Sequence, residues 1–316
     1  MTTAACHNPA ASRQLSPVAA PPLAWVHVPC NLCGRDQTAL LHRERLPWFN
    51  RPLDFTIVRC THCHLVYTNP RLAQTNAVYL QTAPDPADLE AHAAAKAPVF
   101  ARALDQLDAL CPAIGTTAPS PRLLDLGAGS GHFVAAARRR GYDALALEPA
   151  PAWARYARQH LAIPVHQADF HDAHFAPDTF DIITAWDVLE HVEDPRALLA
   201  RAALWLRPGG IFAARFPSAS FQYLKATLLH RLLHSSRAAY APTMHLTFFS
   251  PQTFAALAAQ TGLTLLATRT TPFERNTGRA ALDTVKTAAA SALRLAELLA
   301  RRPLGNLECF CRKDQT

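Results

Sequence analysis

A glycine-rich stretch follows an acid in the middle of the chain, and this pattern suits the binding of a small charged ligand. Asp125 stands two positions before Gly127, and Gly129 and Gly131 follow, with Ala128 between the first two glycines. Glycine has no Cβ and readily adopts a positive φ, so a ligand can lie directly against the backbone. The spacing differs from the G-x-G-x-x-G of dinucleotide sites, and a buried acid there repels a diphosphate but accepts a hydrogen bond from an ammonium group. An ordinary turn between a strand and a helix is the alternative interpretation.

Two further acids follow predicted strands at positions that suit an adenosine. Glu148, next to Pro149, lies 21 positions after Gly127 at the end of the second predicted strand. An acid there accepts hydrogen bonds from both hydroxyls of a ribose, although a surface glutamate that caps the next helix has the same position. Asp169 and Phe170 end the third predicted strand. A carboxylate there suits the adenine N6 amino group, and an aromatic ring suits stacking on the base.

Four cysteines near the N-terminus have the spacing of metal ligands. Cys30 and Cys33 form one C-x-x-C pair, and Cys60 and Cys63 form a second, with 26 residues between the pairs. Four thiolates suit a closed tetrahedral zinc site that has no open position for catalysis. A redox dithiol needs only one such pair, so the presence of two pairs favours structural zinc.

Prolines divide two segments of the N-terminal region. Pro47 and Pro52 lie between the cysteine pairs and predict a chain broken into loops. Such a segment is too short to be held together by apolar burial alone, so bound metal is expected to stabilise it. Farther along, residues 76–110 have a helical pattern that is expected to break near Pro84–Pro86 and again at Pro98.

Composition restricts the class of protein. The 316 residues carry a formal net charge of +7, but the basic residues are scattered apart from Arg138–Arg140 and Arg301–Arg302. Nucleic-acid-binding proteins typically have a clustered basic face, so nucleic acid is not an expected partner. No apolar run reaches the roughly 20 residues that a membrane span needs, which predicts a soluble, cytoplasmic protein. Residues 1–24 lack the apolar core of a signal peptide and are expected to be a disordered leader.

The elements that must position these residues alternate between strand and helix patterns from Arg122 onward. This alternation predicts a parallel sheet covered by helices on both faces, with its ligand at the carboxyl ends of the strands. The predicted strands are 122–126, 142–147, 165–168, 180–186 and 211–216, and the predicted helices are 132–140, 153–160 and 195–206, with a turn at 208–210.

Residues 122–216 resemble the core of the class I S-adenosylmethionine-dependent methyltransferases. The resemblance rests on the motifs LLDLGAGSG, ALALEP, QADF, DVLEHVEDP and LRPGG. With the two cysteine pairs and the later MHLTFFS motif, the chain is similar to the subgroup that has an N-terminal zinc-binding segment, some members of which modify sugars and other small metabolites. The resemblance implies an α/β fold, a Rossmann-like seven-stranded sheet with helices on both faces, plus a small N-terminal zinc ribbon.

The resemblance also implies a domain arrangement. A zinc-ribbon module over residues 25–72 and a helical linker or cap over 73–121 are expected to precede a methyltransferase domain over 122–316. The last two strands, Leu263–Thr270 and Asn306–Lys313, are expected to form an antiparallel hairpin. Two segments exceed the minimal core, a candidate lid near 218–243 and a helical insertion near 279–302. Such helices usually pack on a core or a lid, and contact with a membrane surface is the rarer alternative.

The same resemblance implies roles for the predicted site residues. Asp125 and the loop Gly127–Gly131 are expected to hold the methionine end of S-adenosylmethionine, Glu148 its ribose and Asp169 its adenine. The residues beside these positions are assigned to the same cofactor site, namely Pro149, Phe170, Trp186 and Asp187.

Methyl transfer to a hydroxyl needs a group that takes up a proton. Histidine suits this step because its unperturbed pKa lies near neutral pH. His191, just after the fourth predicted strand, is the first candidate and His245 is the second, and either can instead be structural. Asp187, Glu190 and His191 also resemble the acid-acid-histidine set of ubiquinone-pathway O-methyltransferases, so a divalent ion is a less favoured alternative.

We therefore expect an enzyme that methylates a hydroxyl or carbon of a small molecule, such as a sugar or a glycan precursor. An NAD(P)-dependent oxidoreductase is disfavoured by the glycine spacing and by Asp125. A zinc-ribbon protein that binds nucleic acid or a protein partner, with the methyltransferase core as its scaffold, is the non-enzymatic alternative.

Overall fold

The computed structural model of the protein describes residues 23–49, 51–73, 76–83, 85–111, 120–233, 240–271 and 305–315. Nearly all of the predicted leader (1–24) and the whole of the predicted helical insertion (279–302) lie outside these residues. The described chain forms a large α/β unit and a smaller region of strands that contains the cysteine pairs. We call that smaller region, residues 25–73, the cysteine lobe.

The cysteine lobe contains five strands. These are β1 Trp25–Val26, β2 Thr38–Trp48, β3 Arg51–Cys60, β4 Val66–Thr68 and β5 Arg71–Leu72. β2 and β3 form a long antiparallel hairpin, so the expectation of a loop-broken segment between the cysteine pairs is wrong. Pro47 and Pro52 face each other beside the hairpin turn, and β3 pairs with β4 only from Ile57 onward. The prolines are tolerated because these positions lie where the strands lack a second neighbour.

Two helices connect the cysteine lobe to the large unit, α1 Asn76–Gln81 and α2 Pro86–Leu110. The predicted break between them is confirmed, and Asp85 caps α2 by accepting a 2.8 Å hydrogen bond from the Ala87 amide. The predicted second break at Pro98 is wrong, because α2 continues through it. Residues beyond the proline, including Leu104 and Leu107, are buried against the large sheet. That burial offsets the roughly 3 kcal/mol that an interior proline costs.

The large unit alternates strands and helices as predicted. Its elements are β6 Arg122–Leu126, α3 His132–Arg139, β7 Asp143–Leu147, α4 Pro151–His160, β8 Val165–His166, β9 Phe180–Trp186, α5 Pro195–Trp205, β10 Leu206–Pro217, α6 Ala219–Leu233, β11 Thr247–Phe248, α7 Pro251–Ala259, β12 Leu263–Thr271 and β13 Asn306–Lys313. Seven strands form one sheet in the order β12-β13-β10-β9-β6-β7-β8. β13 pairs antiparallel with both of its neighbours, and the other pairs are parallel. The predicted seven-stranded sheet and its antiparallel hairpin are confirmed.

Several element boundaries differ from the sequence expectations, and two strands illustrate this. β8 has two residues rather than the four expected. β10 includes the predicted turn 208–210, with a shift of register against β9 between Leu206 and Ile211. α6 lies within the predicted lid, of which residues 234–239 are outside the described chain.

Apolar side chains cover both faces of the large sheet. Alternate strand residues point to opposite faces, so Leu124 and Ile183 lie in one core cluster while Leu123 and Ile182 lie in another. The first cluster is covered by α5 and α7, and the second by α2, α3 and α4. This leaves the carboxyl edge of the sheet as the place where loops and polar side chains gather. Within the described chain, no helix combines the length and apolar character needed to cross a membrane.

A second sheet joins the cysteine lobe to the large unit. Its strand order is β11-β4-β3-β2. β11 follows the predicted lid, yet it pairs antiparallel with β4, with Thr247 opposite Tyr67 and Phe248 opposite Val66. Phe248, Val66 and Ile57 pack in one apolar cluster. The lobe and the large unit therefore share a sheet and a small core.

Candidate active site

The glycine loop lies between β6 and α3, at the carboxyl edge of the large sheet. Gly127, Gly129 and Gly131 all have positive φ, at 62°, 54° and 80°. A Cβ on Gly127 would lie 2.8 Å from the Val188 side chain, and a Cβ on Gly131 would lie 2.4 Å from that of Ile163. The loop therefore requires glycine for its backbone conformation and, at its two ends, for its close packing.

Asp125 lies in β6 just before this loop and is only 2% exposed. Its Oδ1 accepts a hydrogen bond of 2.6 Å from the Thr184 hydroxyl of the neighbouring strand β9. Burial raises the pKa of Asp125 to about 7; the Thr184 hydroxyl and the charge of Lys96 oppose this rise, and the charge of Glu148 adds to it. A carboxyl group in this environment suits a cationic partner, because the added positive charge stabilises its ionised form.

Glu148 follows β7 directly and is fully buried against the glycine loop. Its Oε2 accepts a hydrogen bond from the Gly129 amide at 2.7 Å, and its Oε1 accepts from the Ala150 amide at 2.8 Å and from the Tyr79 hydroxyl at 3.0 Å. Burial raises the pKa of Glu148, and these three donors oppose the rise. Tyr79 also stacks on Trp153, with 5.6 Å between ring centroids. The sequence therefore located this acid, and the structure adds α1 as a cover over it.

Asp187 follows β9 with a φ of 57° and lies between two cations. Its Oδ2 accepts 2.7 Å hydrogen bonds from Lys96 Nζ and from Arg215 Nη1. Burial alone would raise the pKa of Asp187, but the charges of Arg215 and Lys96 hold it below its usual value. Sequence reasoning missed both cations. Arg215 stands in an otherwise apolar predicted strand, which is a sign of a buried partner, whereas Lys96 in an alanine-rich helix offers no such sign.

The other residues assigned to the cofactor site lie in the loops after β6, β7 and β8 or at the end of β9: Ala128, Pro149, Asp169, Phe170 and Trp186. Asp169 is half-buried and accepts a 2.9 Å hydrogen bond from the amide of His171. Phe170 is buried, with its ring centroid 3.9 Å from that of His171. Trp186 is buried with its ring packed edge-on against Phe133 at 5.1 Å. These are contacts within the protein, so the cofactor roles of these residues stay predictions.

The two candidate histidines lie together although they are far apart in sequence. The ring centroids of His191 and His245 are 4.8 Å apart. Nδ1 of His191 lies 3.0 Å from the Met244 carbonyl oxygen, and Nδ1 of His245 lies 3.1 Å from the Tyr240 carbonyl oxygen. A carbonyl only accepts, so each Nδ1 donates and each neutral ring keeps a lone pair on Nε2. Burial lowers the pKa of His191 and lowers that of His245 to about 3, so both rings are neutral at neutral pH.

Glu190, which is buried, completes a cluster with these two half-buried histidines. Burial and repulsion from Asp187 raise the pKa of Glu190 well above its usual value, which favours the neutral acid. Its Oε1 lies 3.9 Å from His191 Nε2, and its buried Oε2 has no hydrogen-bond partner among the described residues. The ligand atoms of Glu190, His191 and His245 lie within 4.8 Å of one another. The sequence had grouped Asp187 with Glu190 and His191, whereas the structure places His245 in that group and Asp187 against cations.

The four cysteines of the two pairs converge. The Sγ atoms of Cys30 and Cys63 are 3.4 Å apart, those of Cys33 and Cys60 are 3.5 Å apart, and all four lie within 4.8 Å of one another. Tetrahedral zinc with bonds of about 2.3 Å holds its sulfur atoms about 3.8 Å apart. Burial raises the pKa of Cys30 and of Cys63. At Cys60 burial acts in the same direction, but the amides of Cys63 and His62, with the thiols of Cys33 and Cys63, together outweigh it and bring the pKa down to about 7. The donor set therefore fits structural zinc.

The strand order of the large sheet and the loops at the carboxyl edge of that sheet define the class of protein. A seven-stranded sheet with one antiparallel strand, a glycine loop after β6 and an acid after β7 are the features of a class I methyltransferase fold. The family described as "Methyltransferase domain" matches residues 95–268, which is more than half of the chain. The chain belongs to this family.

Curated relatives and solved structures are also similar. The ubiquinone biosynthesis O-methyltransferase of Xanthomonas campestris pv. campestris is 36% identical over 98 residues, which cover 29% of this chain and 41% of the relative. The protein of the same name from Cereibacter sphaeroides is 35% identical over 104 residues, 30% of this chain and 42% of that relative. The chain thus spans about two fifths of the length of these relatives. An S-adenosylmethionine-dependent methyltransferase structure from Mesorhizobium loti has a TM-score of 0.47 at 21% identity, covering 69% of this chain and 97% of that one.

Proposed function

We propose that this protein transfers the methyl group of S-adenosylmethionine to a small-molecule acceptor. The observation that carries the proposal is the buried Asp125 at the foot of the glycine loop. A carboxyl group whose pKa is raised to about 7 by burial accepts an ammonium group and disfavours a diphosphate. Membership of the methyltransferase-domain family supports the same reaction class.

The residues at the carboxyl edge fit the parts of this cofactor, which supplies a methyl group already activated on a sulfonium. Asp125 would accept hydrogen bonds from its ammonium group, and the loop Gly127–Gly131 offers backbone that no Cβ covers. Glu148 would accept from a ribose hydroxyl, since its Oε2 has one donor among the described residues, the Gly129 amide, and a carboxylate oxygen can accept two. Asp169 is assigned to the adenine by its position after β8.

His191 is proposed to take the proton of the acceptor. Its Nδ1 donates to the Met244 carbonyl, which leaves the Nε2 lone pair for a hydroxyl proton. The lowered pKa keeps the ring neutral, so it can act as a base at neutral pH. His245 has the same tautomer and lies next to it, so it is the second candidate.

The acceptor is proposed to be a hydroxyl-bearing small molecule. Two relatives carry the name ubiquinone biosynthesis O-methyltransferase, which favours oxygen over carbon as the acceptor atom. The cysteine pairs and their similarity to the zinc-segment subgroup favour a sugar or a glycan precursor. Substituted phenols and nucleotide sugars therefore form the two arms of a substrate screen.

Calorimetry tests the cofactor assignment directly. We expect S-adenosylmethionine to bind, NADH not to bind, and the Asp125→Asn variant to lose affinity for S-adenosylmethionine. A screen with cofactor carrying a labelled methyl group then identifies the acceptor among the phenols and nucleotide sugars. Binding of NADH without binding of S-adenosylmethionine would overturn the proposed function.

A divalent ion is a second candidate role for the cluster around His191. The observation that favours it is the approach of the Glu190, His191 and His245 ligand atoms to within 4.8 Å. If the histidine acts as a base, turnover persists in EDTA while the cysteine site keeps its zinc. If the cluster holds an ion, turnover is lost in EDTA and returns when a divalent transition-metal ion such as Fe²⁺ or Zn²⁺ is added, because such ions suit two imidazoles and one carboxylate.

Zinc is proposed to be held by the four cysteines as a structural ion. Sulfur separations near those of tetrahedral zinc support this assignment. We expect metal analysis of the purified protein to give one zinc per chain, and the Cys33→Ser variant to lose it and to unfold at lower temperature. Full zinc content in that variant would contradict the assignment.

A further inference from the structure

The loop that carries His191 is held by side chains of the cysteine lobe. Two donors converge on one backbone oxygen of this loop, the carbonyl of Glu193. Nη1 of Arg71 donates to it at 3.1 Å, and Nδ2 of Asn31 donates to it at 3.2 Å. Asn31 lies inside the first cysteine pair, and Arg71 lies in β5. The His191 loop is therefore tied both to the cysteine cluster and to the strand that closes the lobe.

The segment that carries His245 is held by the same lobe. The Thr68 hydroxyl donates to the His245 carbonyl at 3.1 Å, and the Thr68 amide donates to the Leu246 carbonyl at 2.9 Å. The chain then continues into β11, which pairs with β4. Thr68 ends β4 and lies three positions before Arg71, so one short stretch of the lobe contacts both histidine segments.

The two histidine segments are also bonded to each other. The Leu246 amide donates to the Glu190 carbonyl at 2.6 Å, and His191 Nδ1 donates to the Met244 carbonyl at 3.0 Å. Neither segment lies in a long strand or helix that would hold it independently. The relative position of the two rings therefore depends on these hydrogen bonds and on the contacts that the cysteine lobe makes with both segments.

The contacts made by Thr68 and Arg71 are shielded from water. Thr68 is 1% exposed and Arg71 is 8% exposed. A hydrogen bond from a buried guanidinium is charge-assisted and stronger than a neutral one. Burial lowers the pKa of Arg71, while the charges of Glu193 and Asp194 oppose that change. Arg71 is thus a buried cation directed at the backbone of the His191 loop.

We propose that Arg71 is a positioning residue for the histidine pair, and that the cysteine lobe acts on the acceptor half of the site through Arg71 and Thr68. Where this concerns turnover it rests on the proposed function. The glycine loop and Asp125 belong to β6 and the turn after it, and the lobe residues Arg71 and Thr68 make no hydrogen bond to them within the described chain. Loss of Arg71 should therefore alter proton uptake and acceptor geometry but leave cofactor affinity unchanged.

Hydrogen exchange gives a readout that does not depend on knowing the acceptor. In Arg71→Met we expect the Leu246 and His191 amides to exchange about tenfold to a hundredfold faster, because a charge-assisted hydrogen bond is removed. Arg71→Lys should restore part of the protection, and Thr68→Val should loosen the Leu246 amide without removing a charge. If the four cysteines hold zinc as proposed, removal of that zinc by a strong chelator should expose the same amides.

Lys313→Met is the matched control. Lys313, like Arg71, is a cation that donates to a backbone carbonyl, the Leu206 oxygen at 2.6 Å, and it also donates to Asp178 Oδ1 at 2.7 Å. It lies at the opposite edge of the large sheet, where β10 begins. We expect this variant to leave the exchange of both histidine segments and the affinity for S-adenosylmethionine unchanged.

The outcomes separate this proposal from the proposed function. Faster exchange in Arg71→Met, with unchanged cofactor affinity and, once an acceptor is found, a kcat about tenfold lower, supports positioning. Unchanged exchange at Leu246 and His191, or an equal loss in Lys313→Met, overturns it. If the wild-type protein binds no S-adenosylmethionine, the proposed function fails, and the exchange measurement still decides the role of Arg71.

Discussion

The two halves of the proposed site are built in different ways. The cofactor half, with Asp125, the loop Gly127–Gly131 and Glu148, belongs to one continuous strand-loop-helix-strand unit. The acceptor half joins His191, His245 and the lobe residue Arg71 from three separate parts of the chain. The first half is set by local backbone geometry, and the second depends on long-range contacts. Substitutions in the two halves should therefore have different effects.

The largest expected effect is on turnover, from His191→Gln. Loss of a general base typically lowers the rate by about 10²–10⁴, so we expect a fall in kcat with unchanged affinity for S-adenosylmethionine. His160→Gln, at the exposed end of α4, is the control and should behave as wild type. Steady-state kinetics and calorimetry measure the two quantities. If kcat is unchanged, His191 is a structural residue, and His245 is the next residue to substitute.

Asp125→Asn should weaken the binding of S-adenosylmethionine, whereas His191→Gln should leave that binding unchanged. Removing a charged acceptor from a buried site costs roughly 1.5–3 kcal/mol, so we expect the Kd for S-adenosylmethionine to rise by about tenfold to a hundredfold. Asp143→Asn, which changes an exposed acid at the start of β7, should leave the Kd unchanged. Calorimetry measures the Kd of each variant. Equal Kd values for the Asp125 variant and the wild type would mean that the cofactor half has been wrongly located.

Gly131→Ala tests whether the loop depends on glycine for packing as well as for conformation. Its Cβ would lie 2.4 Å from Ile163 Cδ1 and 3.0 Å from the Ala157 Cβ, whereas a Cβ on Gly141, which has a φ of 102°, would have no neighbour within 4 Å. Both variants incur about 1 kcal/mol of backbone strain, and we expect Gly131→Ala to lose about 1–3 kcal/mol more from overpacking. Denaturant unfolding of both measures the difference. Equal losses would show that Ile163 moves aside freely.

The smallest expected effect is on the pH dependence of cofactor binding. The pKa of Asp125 is about 7, so the group is mostly protonated at pH 6 and mostly ionised at pH 8. An ammonium partner favours the ionised form, so binding releases a proton below the pKa and affinity falls as pH falls. We expect the Kd to be about tenfold weaker at pH 6 than at pH 8. Calorimetry in buffers of different ionisation enthalpy measures the number of protons released on binding. The Asp125→Asn variant should release none from this site.

The local features of the site were accessible from sequence because each rests on short-range rules. Glycines at positive φ, an acid at the end of a strand and paired cysteines are visible as residue types at fixed spacing. The seven-stranded sheet followed from alternating strand and helix patterns and from the resemblance to known methyltransferases. Pro98 shows the limit of such rules, because burial of the residues after it holds α2 together across a residue that locally breaks helices.

The long-range features were not accessible in this way. The charges that hold Asp187, from Lys96 on α2 and Arg215 in β10, meet only when the sheet and its covering helix are assembled. The expected metal set of Asp187, Glu190 and His191 paired residues that are close in sequence, but the chain turns so that His245 faces His191. Side-chain direction after a loop depends on what the loop packs against.

By itself the sequence determined the order of strands and helices in the large unit, the glycine loop with its two acids, and the four cysteines, because these depend on periodicity and spacing within short stretches. The tertiary structure alone decided that His245 joins His191 and that Arg71 and Thr68 hold both segments. Those contacts join residues far apart in the chain, and only the closing of β11 onto β4 brings them within hydrogen-bonding distance.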